Sequence, residues 1–205
     1  MSLKLIHFPQ TRSLRVVWTL FELGVDADIE TRVFDRAALK KPEYRALNPL
    51  GKTPVFFDGD QRMIESTAII QYIADEYGDG RLSRKPGDDD YGPFLQWLHF
   101  GEAGMGGYVN QLIGQTMLLP EDQRIPAMAQ WAKIETKNCL DFIEQSLGDK
   151  DYLLGDFSLA DIAVVYLLFL IKVTKNGDLM GEKTNAYFKR ATAREAWAKA
   201  SALAP

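Results

Sequence analysis

The sequence predicts an α/β first part followed by an all-helical second part. Three observations carry this. The first eighty residues alternate strand and helix patterns in the order β-α-β-α-β-β-α. Beyond Gly78–Gly87, where YGDGRLSRKPG reads as a linker by its Gly, Pro and charge content, no convincing strand pattern recurs. At 205 residues, 46% hydrophobic and 25% charged, the chain can hold one large core or two small ones.

The first strand is the apolar run Leu3–Phe8, with Leu5 and His7 on one face and Lys4 and Ile6 on the other. After the loop Pro9–Arg12, Leu14, Val17, Trp18 and Phe21 recur at i, i+3, i+4 and i+7, a helix with Ser13 as expected N-cap and Gly24 as its C-terminal stop. Ile29, Thr31 and Val33 alternate as a second strand, and a short helix follows near Pro42–Leu47. Thr53–Phe57 and Gln61–Ile64 flank Asp58-Gly59-Asp60, a hairpin signal. Ser66 is the expected cap of a helix whose Ile69, Tyr72, Ile73 and Tyr77 lie along one side. A strand–helix–strand start implies a parallel pair with a right-handed crossover, so the four strands form a mixed sheet. In the second part, Asp88–Leu118 and Pro120–Leu147 read as long helices. Met128, Trp131, Ala132, Cys139, Phe142 and Ile143 share a face of the latter. Ser158-Leu159-Ala160-Asp161 opens an apolar helix to Ile171 as a capping box, with Phe157 and Ile162 as a staple. A last helix is expected over about Asn185–Ala202. The expected domains are residues 1–79, a linker over 80–87 and a helical domain over 88–205.

Charge excludes one class of partner. Lys plus Arg number 24 against 28 Asp plus Glu, evenly spread, so no basic face exists for nucleic acid. A single cysteine, Cys139, rules out an internal disulfide, a CxxC redox motif and a cysteine-based zinc site, and two histidines, His7 and His99, do not add a metal site. Both histidines are read as structural. The start lacks the charged and apolar regions of a signal peptide, and Ile162–Ile171 is about half the ~20 residues of a membrane span. A cytoplasmic protein without membrane contact is expected. Gly101, Gly104, Gly106 and Gly107 follow a helical pattern rather than a strand, so they read as a bent helix and not a phosphate loop.

Four segments, in order, carry a family resemblance: Pro9-Gln10-Thr11-Arg12-Ser13-Leu14-Arg15; Asn48-Pro49-Leu50-Gly51-Lys52-Thr53-Pro54-Val55; Glu65-Ser66-Thr67-Ala68-Ile69-Ile70; and Ser158-x-x-Asp161. Together they resemble the soluble glutathione transferases, over essentially the whole chain. The resemblance implies a thioredoxin-like first domain and an enzyme that ionises the glutathione thiol for attack on a hydrophobic electrophile. It implies a cis bond before Pro54, and the backbone of Thr53 pairing with glutathione's cysteinyl amide. It implies Ser66 for the γ-glutamyl carboxylate and Glu65 for the ammonium; Lys52 is the natural cation for the glycyl carboxylate, while Lys40 and Lys41 could assist but read first as solvated surface lysines. A homodimer is implied as well. Glutathione is the co-substrate, and no metal is expected.

A thiol of pKa about 8.5 is only a few per cent ionised at neutral pH, so a donor to sulfur is needed. The loop offers two hydroxyls. Thr11 falls on the serine slot of theta-like members, Ser13 competes with its capping role, and a backbone N–H or Arg12 are further alternatives. Arg12 stands where beta-class members carry cysteine, the S-S-C-S of the zeta-class isomerases is absent, and no tyrosine occupies the first strand or its loop. Phe100, Met105 and Tyr108 are candidates for the second-substrate pocket. Glutathione-dependent reduction of disulfides or peroxides, and a non-catalytic binding or assembly role on the same fold, are the alternative functions.

Overall fold

The computed structural model describes residues 2–204. Its backbone divides into two compact units: the chain through Ser83 together with the segment from Ala193 onward, and Arg84–Thr192.

The first unit is built on β1 (Leu3–His7), β2 (Asp28–Thr31), β3 (Val55–Asp58) and β4 (Gln61–Met63) in the order β2-β1-β3-β4. β1 pairs parallel with β2 and antiparallel with β3, so the crossover helix α1 (Ser13–Leu23) joins the parallel pair as expected. The β2 strand ends two residues early: Val33, expected to extend it, is 72% exposed, and the edge strand has no neighbour to cover it. Alternation on β1 sorts its side chains. Ile6 and Phe8 join Leu39, Tyr44 and Val55 in a core under α2 (Pro42–Leu47). Leu5 and His7, both fully buried, face the side of α1. Burying each such apolar side chain contributes about 1.5–3 kcal/mol. Helix α3 (Ser66–Tyr77) packs beside α1.

The second unit holds α4 (Tyr91–His99), α5 (Gly106–Ile113), α6 (Pro126–Leu147), α7 (Leu159–Val173) and α8 (Glu182–Thr192). The single helix expected over 88–118 is interrupted by wider π-helical turns at Phe100–Gly104 and Gly114–Leu118. Gly101 lies in the first interruption, where a Cβ would stand 2.7 Å from the Ala163 methyl, so its small size allows close contact with α7. The capping box forms as expected. Ser158 and Asp161 exchange hydrogen bonds at the start of α7, and Asp161 also accepts from the Leu153 N–H and the Tyr187 hydroxyl.

The last expected helix is two. After α8 the chain extends at Arg194 and restarts as α9 (Glu195–Ser201). The break lets Arg194 fork onto Glu22 of α1 at 2.6 and 2.7 Å while Trp197 meets Trp18 edge to face at 4.8 Å. Thus α9, placed by the sequence in the helical domain, clusters with the first unit. Among the described residues no helix is long and apolar enough to cross a membrane.

Candidate functional site

The loop between β1 and α1 meets the loop before β3. The Thr11 hydroxyl lies 2.8 Å from the Thr53 hydroxyl, 2.9 Å from that of Ser13, and donates to the Phe8 carbonyl at 2.8 Å. Thr11 and Thr53 are partly exposed. The Thr53–Pro54 bond is cis, as expected, and Thr53 stands just outside the paired register that begins at Val55.

Ser13 does not cap α1. It is the helix's first residue, after an Arg12 in helical conformation, and its side chain turns inward. There it accepts the Phe8 N–H at 3.0 Å, approaches the Phe8 carbonyl at 3.0 Å, and lies 2.8 Å from His7 Nδ1. A fully buried hydroxyl with these partners has no face for a ligand. Of the two candidate hydroxyls only Thr11 has open surface. Burial pushes the His7 imidazole down to about 4, so the ring is neutral at neutral pH.

The loop from Asn48 to Lys52 is held from below. Asn48, buried, accepts the Leu50 N–H through its amide oxygen and donates to the Lys52 carbonyl at 2.7 Å. The Tyr44 hydroxyl donates to that same carbonyl at 2.8 Å, and burial pushes its pKa up to about 12, so it stays a donor. Gly51 is obligatory: its φ is +59°, and a Cβ would stand 2.4 Å from the Leu39 carbonyl oxygen. Lys52 itself is exposed, and Lys40 Nζ reaches the same loop, donating to the Leu50 and Gly51 carbonyls at 3.3 and 3.4 Å.

At α3 the expected cap shifts by one residue. Glu65 is the N-cap, with φ +75° and ψ +103°, and Ser66 is the first helical residue. Glu65 is exposed and Ser66 is buried, its oxygen accepting from Arg15 Nη1 at 3.1 Å. Since that oxygen accepts from arginine, the Ser66 O–H is left to donate. A buried cation, a hydroxyl and the N–H groups of a helix start together have the chemistry to hold an anion. Arg15 was missed as a site residue. Its signal was a charge inside the apolar run Leu14–Leu20, where only a buried partner makes an arginine tolerable.

Of the pocket candidates, Phe100 packs against Trp97 at 5.2 Å and Phe142 at 5.5 Å, and Tyr108 packs against Trp131 at 5.3 Å. Met105 is fully buried and offers no surface. Cys139, on α6, is pushed up to about 11, chiefly by burial, so this thiol stays protonated at neutral pH. Among the described residues, no three His, Cys, Asp or Glu side chains are grouped to hold a metal ion.

Residues 1–75 match the family model of the glutathione S-transferase N-terminal domain. Glutathione S-transferase F10 of Arabidopsis thaliana is 30% identical over 206 residues, spanning 93% of this chain and 92% of that protein. A glutathione S-transferase of Hyoscyamus muticus is 30% identical, with 91% of each chain covered. The solved structure of glutathione transferase URE2P8 from Phanerochaete chrysosporium with oxidized glutathione superposes with a TM-score of 0.82 at 27% identity, covering 97% of this chain and 93% of that one.

Proposed function

The chain belongs to the glutathione S-transferase family, and from that premise we propose how its own residues hold glutathione and ionise the thiol. The observation that carries this reading is the approach of the Thr11 and Thr53 hydroxyls to 2.8 Å. It supports the reading by bringing the partly exposed Thr11 hydroxyl beside Thr53, whose backbone would pair with the cysteinyl part of glutathione as an added strand.

The γ-glutamyl carboxylate sits at the start of α3, receiving the Ser66 O–H and helix N–H groups over the Arg15 cation. The Glu65 carboxylate takes the ammonium. Lys52, with Lys40 Nζ at the same loop, takes the glycyl carboxylate. Three anchors fix the molecule at both ends, so the sulfur is delivered to Thr11 with little freedom left to lose.

Thr11 then turns its O–H from the Phe8 carbonyl to the sulfur. The thiol proton leaves to solvent and the hydroxyl stabilises the thiolate. The sulfur attacks an electrophilic carbon, the new S–C bond forms, and the leaving group departs with its bonding pair. Within the helical unit Phe100 and Tyr108 keep partly exposed apolar surface and stay the second-substrate candidates, whereas Met105 is fully buried. The working form is a homodimer. Sedimentation at micromolar concentration should show a species of twice the 23.1 kDa chain mass, and a lone 23.1 kDa species would refute the dimer.

Titration calorimetry with glutathione tests the anchors. Ser66→Ala and Lys52→Ala should each weaken binding by about 1–3 kcal/mol, the range of a hydrogen bond to a charged group. If both bind as the parent does, glutathione sits elsewhere.

A further inference from the structure

We propose that His7 is a positioning residue for the thiol-activating hydroxyl. Its buried ring, acting through Ser13, sets the direction in which the hydroxyls of Ser13, Thr11 and Thr53 donate, and leaves the Thr11 O–H as the one free to turn to sulfur. This rests on the role of Thr11 given above.

Protons are scarce along this chain of contacts. His7 Nδ1 lies 2.8 Å from Ser13 Oγ, Ser13 Oγ 2.9 Å from Thr11 Oγ1, and Thr11 Oγ1 2.8 Å from Thr53 Oγ1. Each hydroxyl brings one proton, and the neutral ring brings one more. Nε2 is buried without a hydrogen-bond partner, so a proton there would be a stranded donor, which folded proteins avoid more strictly than a bare acceptor. The ring proton therefore belongs on Nδ1, an assignment from its partners. From Nδ1 it is donated to Ser13.

Ser13 Oγ now accepts twice, from His7 and from the Phe8 N–H at 3.0 Å, and must donate its own proton. Three donors compete for the two lone pairs of the Phe8 carbonyl: the Thr11 O–H at 2.8 Å, the Ser13 O–H at 3.0 Å and the Thr11 N–H at 3.2 Å. Kept off the ring by the Nδ1 proton, the Ser13 O–H takes the shorter of its two contacts, 2.9 Å to Thr11 against 3.0 Å to the Phe8 carbonyl, and the Thr53 O–H goes to the same Thr11 oxygen. With both lone pairs used, Thr11 can only donate to a further partner. Each donation into its oxygen strengthens its own O–H as a donor, by about 10–30% in such chains. With the proton on Nε2 instead, the Ser13 O–H would be spent on the ring and Thr11 would lose one of its two donors.

The test is a set of variants read by ultraviolet titration of the bound thiolate. His7→Leu removes the ring donor. His7→Asn keeps one, because the asparagine amide nitrogen reaches the position of Nδ1. His7→Leu should lower the thiolate fraction of bound glutathione at neutral pH about threefold, half a pKa unit, with KM for glutathione within about twofold of the parent, and His7→Asn should restore it. If Thr11→Ala shifts the titration and His7→Leu does not, the relay is wrong while Thr11 keeps its role. If Thr11→Ala leaves the titration alone, the Thr11 reading fails and the relay falls with it. Should His7→Leu not fold, His7→Gln replaces it, since its amide reaches the Nε2 position and should not rescue. Ring nitrogen NMR on the parent gives an independent reading, and a proton found on Nε2 overturns the proposal.

Discussion

The Thr11 hydroxyl touches the Thr53 hydroxyl at 2.8 Å, across 42 residues of chain. That one contact ties the loop after the first strand to the residue before Pro54, and so holds the hydroxyl proposed to activate the thiol in register with the backbone proposed to bind glutathione.

Thr11→Ala should raise the bound thiol's pKa by about a unit and lower kcat about tenfold at neutral pH, with little change in glutathione affinity. Thr11→Ser should keep most of the activity, because the hydroxyl survives. Steady-state kinetics paired with thiolate titration reads both, and an unchanged Thr11→Ala enzyme refutes the assignment.

Ser13→Ala should destabilise the fold, and through a route other than capping. It strands the Phe8 N–H and the His7 ring in a buried place, at a cost of about 1–3 kcal/mol. Chemical denaturation measures this. A loss of a few tenths of a kcal/mol would mean that water reaches those groups.

Glu65 sits at φ +75° and ψ +103°, a region that L-residues rarely occupy. Glu65→Gly should therefore raise stability by about 1 kcal/mol while weakening glutathione binding. Glu65→Gln should weaken binding with no gain in stability. A matched pair of melting curves and calorimetric titrations separates backbone from charge; a Glu65→Gly protein that melts lower than the parent speaks against strain at this residue.

Two buried groups act on stability in opposite senses with pH. Burial holds His7 at about 4, below its ordinary 6.5, so between these values the unfolded chain binds the extra proton and stability falls as pH drops. Burial lifts Asp161 from 3.8 to about 6, outweighing its donors, so there the folded chain holds the extra proton and stability falls as pH rises. Each contribution is about 3 kcal/mol across its window. In His7→Asn only the Asp161 slope is left of this pair. The stability difference between His7→Asn and the parent should then move in the variant's favour from pH 6.5 down to 4. A difference that is flat with pH would show that His7 takes up its proton in the folded state as readily as in the unfolded one.

The sequence was most legible where one residue type has few uses. Pro54 after Thr53, the Glu65-Ser66 pair and the Ser158–Asp161 box all lie where their motifs put them. It was least legible where a residue has two local options. Ser13 and Ser66 both look like N-caps, yet each stands one residue inside its helix, because His7 and Arg15 draw their oxygens inward. Those partners are 6 and 51 residues away, beyond any local pattern. The helix expected over 185–202 hid its break for the same reason: Arg194 extends to meet Glu22, 172 residues distant.

That pairing has a consequence for the protein's birth. Trp18 and Glu22 leave the ribosome early, and their partners Trp197 and Arg194 emerge only after the whole of Arg84–Thr192 has been made. At ordinary synthesis rates of about 5–20 residues per second, the 172 residues between Glu22 and Arg194 take roughly 9 to 35 seconds. Throughout it the Trp18 indole and the Glu22 carboxylate of α1 lack the cover that α9 later gives them. Chains stalled before Arg194 should show α1 open to protease, and released chains should not.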